Sequence, residues 1–88
     1  MIGRVIEVAT DGAHLSVDRG FMTVSHQKET LGRVAIADIS ALIVRGYGAT
    51  ISLNLASRLS QSGIPTVLCD SNQSPSTLLW PIKGHFEQ

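Results

Sequence analysis

One cysteine, three histidines and five arginines carry most of the reactivity and charge available to this 88-residue chain. Cys69 is the obvious candidate nucleophile. A reactive thiol needs a base and an electropositive setting to ionise. Here the thiol ends the apolar run "TVLC" and precedes Asp70, whose charge opposes thiolate formation, so a structural cysteine is the better reading. His14, His26 and His85 lie far apart and match no zinc-ligand spacing. "HFE" at His85–Glu87 has the H-x-E form of the zinc deaminases, but that chemistry also needs a downstream P-C-x-x-C pair of thiolates. Only one residue follows Glu87, so solvated or capping histidines are the simpler reading.

The stretch "RGYGAT" sits between an apolar strand and a predicted helix. Backbone N–H groups at such a place can hold a phosphate. The full dinucleotide fingerprint and the P-loop lysine are both missing, so a tight turn that needs glycine competes with that reading. Arg4, Arg19, Arg33, Arg45 and Arg58 are scattered along the chain, and each reads first as a solvated side chain or a surface ion pair. Arg58 stands out because it projects from the exposed side of the predicted helix. Tyr47 and Trp80 each have a ring on which a base could stack. Trp80, at the end of "LLW", reads rather as core or interface. These residues form no pair of catalytic carboxylates, no Ser-His-Asp order and no metal cluster.

The elements that must position these side chains are short. In "IGRVIEVA", Ile2, Ile6 and Val8 share a face and Glu7 points the other way. "TDGA" supplies a turn. "HLSV" puts Leu15 and Val17 on one face, with His14 and Ser16 opposite. "DRG" is a second turn and "FMTVS" alternates again. "HQKET" reads as a polar loop and "LGRVAI" as a fourth strand, interrupted by Gly32. Four such strands predict an antiparallel meander. "ADIS" reads as a turn or a single helical turn. "ALIVRG" is a continuous apolar run, as expected of a strand covered on both faces.

"TISLNLASRLSQSG" predicts the one helix, with Thr50 as N-cap and Ile51, Leu55 and Leu59 as its buried stripe. Gly63 suits the position after the helix, and Pro65 stops any continuation. "TVLCD" is a further strand, so strand, helix and strand form a crossover unit with parallel strands. "TLLW" is a final short strand before Pro81. The fold class is α+β: a β-rich small domain with antiparallel strands first, then a strand-helix-strand unit and a last short strand.

Composition narrows the function. Seven Lys and Arg balance seven Asp and Glu. A free-standing nucleic-acid binder usually shows a basic excess, because phosphate neutralisation supplies most of its affinity. Strong independent DNA binding is therefore not expected, although a local basic patch remains open. The start of the chain lacks a signal-peptide pattern, and no apolar run approaches the ~20 residues of a membrane helix. One unpaired cysteine suits a reducing compartment. A soluble cytoplasmic domain with no membrane contact is expected.

Four segments, "DGAHLSVDRGFMTV", "LGRVAIADISALIV", "LASRLSQSGIPTVLCDSNQSP" and "LLWPIKGH", together resemble the amino-terminal part of CRISPR-associated protein one, most closely its type II branch. The order and spacing of the segments carry the resemblance over the whole chain. It implies a β-rich amino-terminal domain over residues 1–82, with 83–88 starting the connection to a helical catalytic domain that is absent. The chain would thus stop near a domain junction. By the same resemblance the parent is a DNA endonuclease and integrase that inserts foreign DNA into a CRISPR array in antiviral defence. It depends on a divalent metal, Mg or Mn, held by acidic residues and a His of the absent domain.

The fragment itself would hold no catalytic residue, no metal and no cofactor. Its implied partners are a second copy of itself, CRISPR-associated protein two, and DNA in the context of the full-length protein. The implied DNA contacts are His14, able to stack from "TDGAH", the loop Tyr47, Gly48 and Thr50, and Arg58 on the helix. An autonomous phosphate-ligand domain built on the Gly46–Thr50 turn is the alternative.

Overall fold

The structure, a computed structural model, describes residues 3–70, 72, 74–80 and 82. Eight strands and one α-helix form two four-stranded sheets. The strands are β1 (Arg4–Val8), β2 (His14–Asp18), β3 (Phe21–His26), β4 (Glu29–Ala35), β5 (Ile39–Val44), β6 (Thr50–Ile51), β7 (Thr66–Cys69) and β8 (Pro75–Leu79). The helix α1 spans Leu53–Gln61, and a 3₁₀ turn at Ile36–Asp38 leads into β5. The first sheet runs β1-β5-β7-β8 and the second runs β4-β3-β2-β6.

The meander is real but one strand shorter than expected. Strands β2, β3 and β4 pair antiparallel, whereas β1 leaves them to pair parallel with β5. Alternation within a strand says which face is apolar, but it does not name the neighbour that strand joins. The "HQKET" loop is also tighter than it reads. His26 belongs to β3 and Glu29 to β4, so only Gln27 and Lys28 turn, at φ of 52° and 69°. Two central residues with positive φ match the right-handed twist of a hairpin. Strand β4 runs through Gly32 without a break, and the ladder slips instead between Val24 and Ser25. The last strand is Pro75–Leu79, with Trp80 just beyond it.

The crossover unit forms as expected: β5 and β7 are parallel neighbours with α1 between them in sequence. The helix starts later than its pattern suggests. Thr50 and Ile51 are strand residues, and Thr50 is not the N-cap. Ser52 takes that role, and its Oγ accepts a hydrogen bond from the Leu55 N–H at 3.1 Å. Both residues are good N-caps, but pairing with β2 claims Thr50 for the sheet. Ser52→Ala should therefore lower the unfolding free energy by about 1 kcal/mol. A denaturant midpoint shifted down at constant slope would show it; Thr50→Ala should leave the helix cap intact.

The core lies between the sheets. Leu15 and Met22 of the second sheet, Leu42 of the first, and Leu55 and Leu59 of α1 are all buried to within 1% exposure. Ile6, Val17, Val24, Val34, Ile51 and Leu68 pack around them. Ile51 thus reaches the core as expected, but from a strand. The expectation for Ile2 lies outside the described residues.

Candidate functional site

The register defines two outward faces of different chemistry. On the second sheet, Leu15, Val17, Met22 and Val24 point inward, so their strand neighbours point out. The outer face carries His14, Ser16 and Asp18 from β2, set opposite Ser25, Thr23 and Phe21 from β3. Arg33 stands opposite Thr23, and Thr50 lies opposite His14. This is a surface of hydroxyls, one imidazole, one carboxylate and one guanidinium over a phenyl ring.

Two of the sequence candidates meet on this face. His14 Nδ1 and Thr50 Oγ1 share a hydrogen bond of 2.6 Å, and Ser25 Oγ donates to the His14 carbonyl at 3.4 Å. Tyr47 and Gly48 lie beside the same end of β2. The Tyr47 N–H donates to Asp11 Oδ1 at 2.9 Å, and the Gly12 N–H donates to the Tyr47 carbonyl at 2.8 Å. The Tyr47 ring is exposed. Arg58 stands apart from these four. Its guanidinium lies by Gly20, at the far end of β2, about 13 Å away by strand rise.

The "RGYGAT" turn differs from an anion cradle in two ways. Three of its backbone donors are already engaged: Tyr47 N–H by the Asp11 carboxylate, Ala49 N–H by the Gly46 carbonyl, and Thr50 N–H by the Ala13 carbonyl. The turn also leads into β6 rather than into the helix, whose first residue is Leu53. The expectation that this turn opens the helix is corrected: the turn is followed by β6. The two glycines serve different needs. Gly48 takes φ of 70°, while Gly46 packs so closely that a Cβ would sit 2.1 Å from the Thr10 carbonyl oxygen.

The outer face of the first sheet is mostly apolar, with Glu7 opposite Ile43. Val5, Ala41, Ile43, Val67 and Leu78 share it by register. Val5 is 62% exposed and Leu78 56%. At its rim the Arg45 Nε lies 2.8 Å from Glu7 Oε2, an exposed pair of about 0.2–1 kcal/mol. The expectation that β5 is covered on both faces holds only for the inner one among the described residues. Strand β8, an edge of this sheet, is exposed along its length and uncharged. Beside it, Leu78, Leu79 and Trp80 line an open groove of about 320 Å³ against α1. Trp80 is 64% exposed, so it is not a core residue.

Cys69 is half-buried and reduced. No group of three or more His, Cys, Asp or Glu comes together among the described residues, so these side chains do not fit a metal centre. His85 and Glu87 lie outside the described residues, as does Gln73. No helix of the structure is long and apolar enough to cross a membrane.

Sequence reasoning passes over Phe21 and reads Arg19 and Arg33 only as solvated side chains or surface ion pairs. Arg33 Cζ lies 4.5 Å from the centroid of the Phe21 ring. The hairpin folded at Gln27–Lys28 brings residues 21 and 33 close across the ladder.

The family model described as CRISPR associated protein Cas1 matches residues 6–87. The chain belongs to the Cas1 family. Comparison with curated proteins finds no match. Among solved structures, a partial Cas6-RT-Cas1–Cas2 complex is similar at 17% identity and a TM-score of 0.82, over 92% of this chain and 24% of that one. A casposase bound to integration product is similar at 16% identity and a TM-score of 0.71, over 94% of this chain and 25% of that one. A TtCas1–DNA complex is similar at 14% identity and a TM-score of 0.66, over 82% of this chain and 27% of that one. The chain therefore spans about a quarter of the length of each of these relatives, and at such identities the likeness is one of fold.

Proposed function

We propose that this chain is the assembly domain of a cytoplasmic CRISPR integrase of the Cas1 family, of the type II branch by its sequence resemblance. Its task is to bring two copies together and to carry DNA and a Cas2-type subunit, while it performs no chemistry itself. By the sequence resemblance, the metal-dependent steps fall to a separate helical domain of the parent protein. Membership of the family and the likeness to complexes with Cas2 and with DNA support the reading.

The observation that carries it is the bare face of the first sheet. A sheet of mostly parallel strands is ordinarily covered on both sides. Here one side is filled by the core, and the other presents Val5, Ala41, Ile43, Val67 and Leu78. Natural edge strands are guarded by charge. Strand β1 has Arg4 and Glu7, and β4 has Glu29 and Arg33, whereas β8 has none. The charge on this face, Glu7, is paired with Arg45, so the face meets its own copy across a two-fold axis without burying a lone charge.

Sedimentation should show a dimer for the wild-type chain and a monomer for the Val5→Lys/Leu78→Lys variant. Both side chains are exposed in the single chain, so the variant should keep its melting temperature in dilute solution. A wild-type chain that stays monomeric at high concentration would remove the reading.

A further inference from the structure

We propose that the β2–β3 turn, with Arg33 and Arg58 on its flanks, is a seat for the phosphodiester backbone of nucleic acid; the proposal rests on the DNA role given above. Three arginines far apart in sequence come to one turn for three separate reasons. Arg19 and Gly20 are the turn itself, with φ of 52° and 83° between the paired residues Asp18 and Phe21. This is a two-residue hairpin loop in which both central residues are left-handed, a place where Asn, Asp and Gly are usual. Arg33 arrives through the β3–β4 ladder and stacks over Phe21. Arg58 arrives through α1, and its Nη2 would lie 3.8 Å from a Cβ at position 20.

The geometry leaves these groups ready for an anion. A guanidinium resting on a ring has its plane fixed, while its N–H donors stay in that plane and point away from the ring. Arg33 is thus ordered before any ligand arrives, which reduces the entropy lost on binding. Arg19, Arg33 and Arg58 are all exposed, and among the described residues none has a carboxylate within ion-pair distance.

Two acidic residues belong to the neighbourhood. Asp18 precedes the turn, and Asp38 closes the 3₁₀ turn whose Ile36 N–H donates to the Gly20 carbonyl at 2.9 Å. Three positive charges against two negative ones suit phosphates met one at a time along a strand. They do not suit a free dianion, which would need the whole positive charge in one pocket. The outer face of the second sheet continues from this turn as neutral hydroxyls up to His14 and Thr50, so a strand can run along it without meeting a further carboxylate.

The test is binding of a short labelled duplex to the full chain, read by anisotropy over a salt series. The wild-type chain should bind at low salt with an affinity that falls linearly on a log–log plot. Arg19→Ala, Arg33→Ala and Arg58→Ala should each lower the slope by about 1, whatever the base sequence. Arg33→Lys should bind more weakly than wild type, because charge is kept while the stacked fork is lost. Melting curves of the variants check that the fold is retained. A triple Ala variant that binds with the wild-type slope would overturn the seat and leave the DNA role standing. A wild-type chain that ignores the duplex at low salt would overturn both. Displacement of the duplex by inorganic phosphate beyond the effect of sodium chloride at equal ionic strength would show a free-phosphate site, and would overturn the backbone assignment.

Discussion

Gly46→Ala is expected to lower the unfolding free energy by about 3 kcal/mol, at the upper end of what overpacking usually costs. The added methyl would stand 2.1 Å from the Thr10 oxygen and 2.8 Å from the Thr10 carbonyl carbon. Both are backbone atoms, so no side chain can rotate out of the way. The two segments are also tied to each other. Arg45 N–H donates to the Val8 carbonyl at 2.8 Å, and Gly12 N–H to the Tyr47 carbonyl. Moving one means breaking bonds in both. Gly48→Ala is the control: it meets open space and has only its φ of 70° to resist it, which costs about 1 kcal/mol. Urea unfolding of the two variants should separate them by about 2 kcal/mol. Equal losses would mean that the contact is not tight.

Leu42→Ala is expected to cost about 3–4 kcal/mol. Leu42 is fully buried and sits at the middle of β5, opposite Ile6 on one side and Thr66 on the other. Its neighbours belong to two ladders, so the cavity cannot close by moving one strand. A chain of this size has a total stability of roughly 4–13 kcal/mol, so the variant should lose a large share of it. Thermal unfolding followed by circular dichroism will show the loss as a clear fall in melting temperature. Leu53→Ala, on the exposed first turn of α1, should change little.

Much of the local structure was legible in the chain because it depends on near neighbours. The alternation in "HLSV" separated Leu15 and Val17 from His14 and Ser16, and the sheet keeps that division. The spacing of Leu55 and Leu59 marked the buried side of α1. What stayed hidden depends on pairing across distance. Nothing near β1 says that it will join β5, and a two-residue strand such as β6 leaves no periodic trace at all. His14 and Thr50 were therefore both named as candidates without any sign that they touch. The arginines looked scattered for the same reason: their meeting needs a hairpin register and a docked helix, neither of which is written in their own segments.

The departure of β1 from the meander also governs the order in which the chain can fold. Strands β2, β3 and β4 are joined by two-residue turns, so they can zip locally soon after they are made. Strand β1 must wait for a partner about thirty residues downstream, and its pairing closes a loop around the whole meander. During synthesis β1 leaves the ribosome well before its partner and is thus among the last of these strands to find its place. Until β5 emerges, its exposed valines and isoleucine are a point of vulnerability to aggregation, and slowing translation after Ala35 should lengthen that interval.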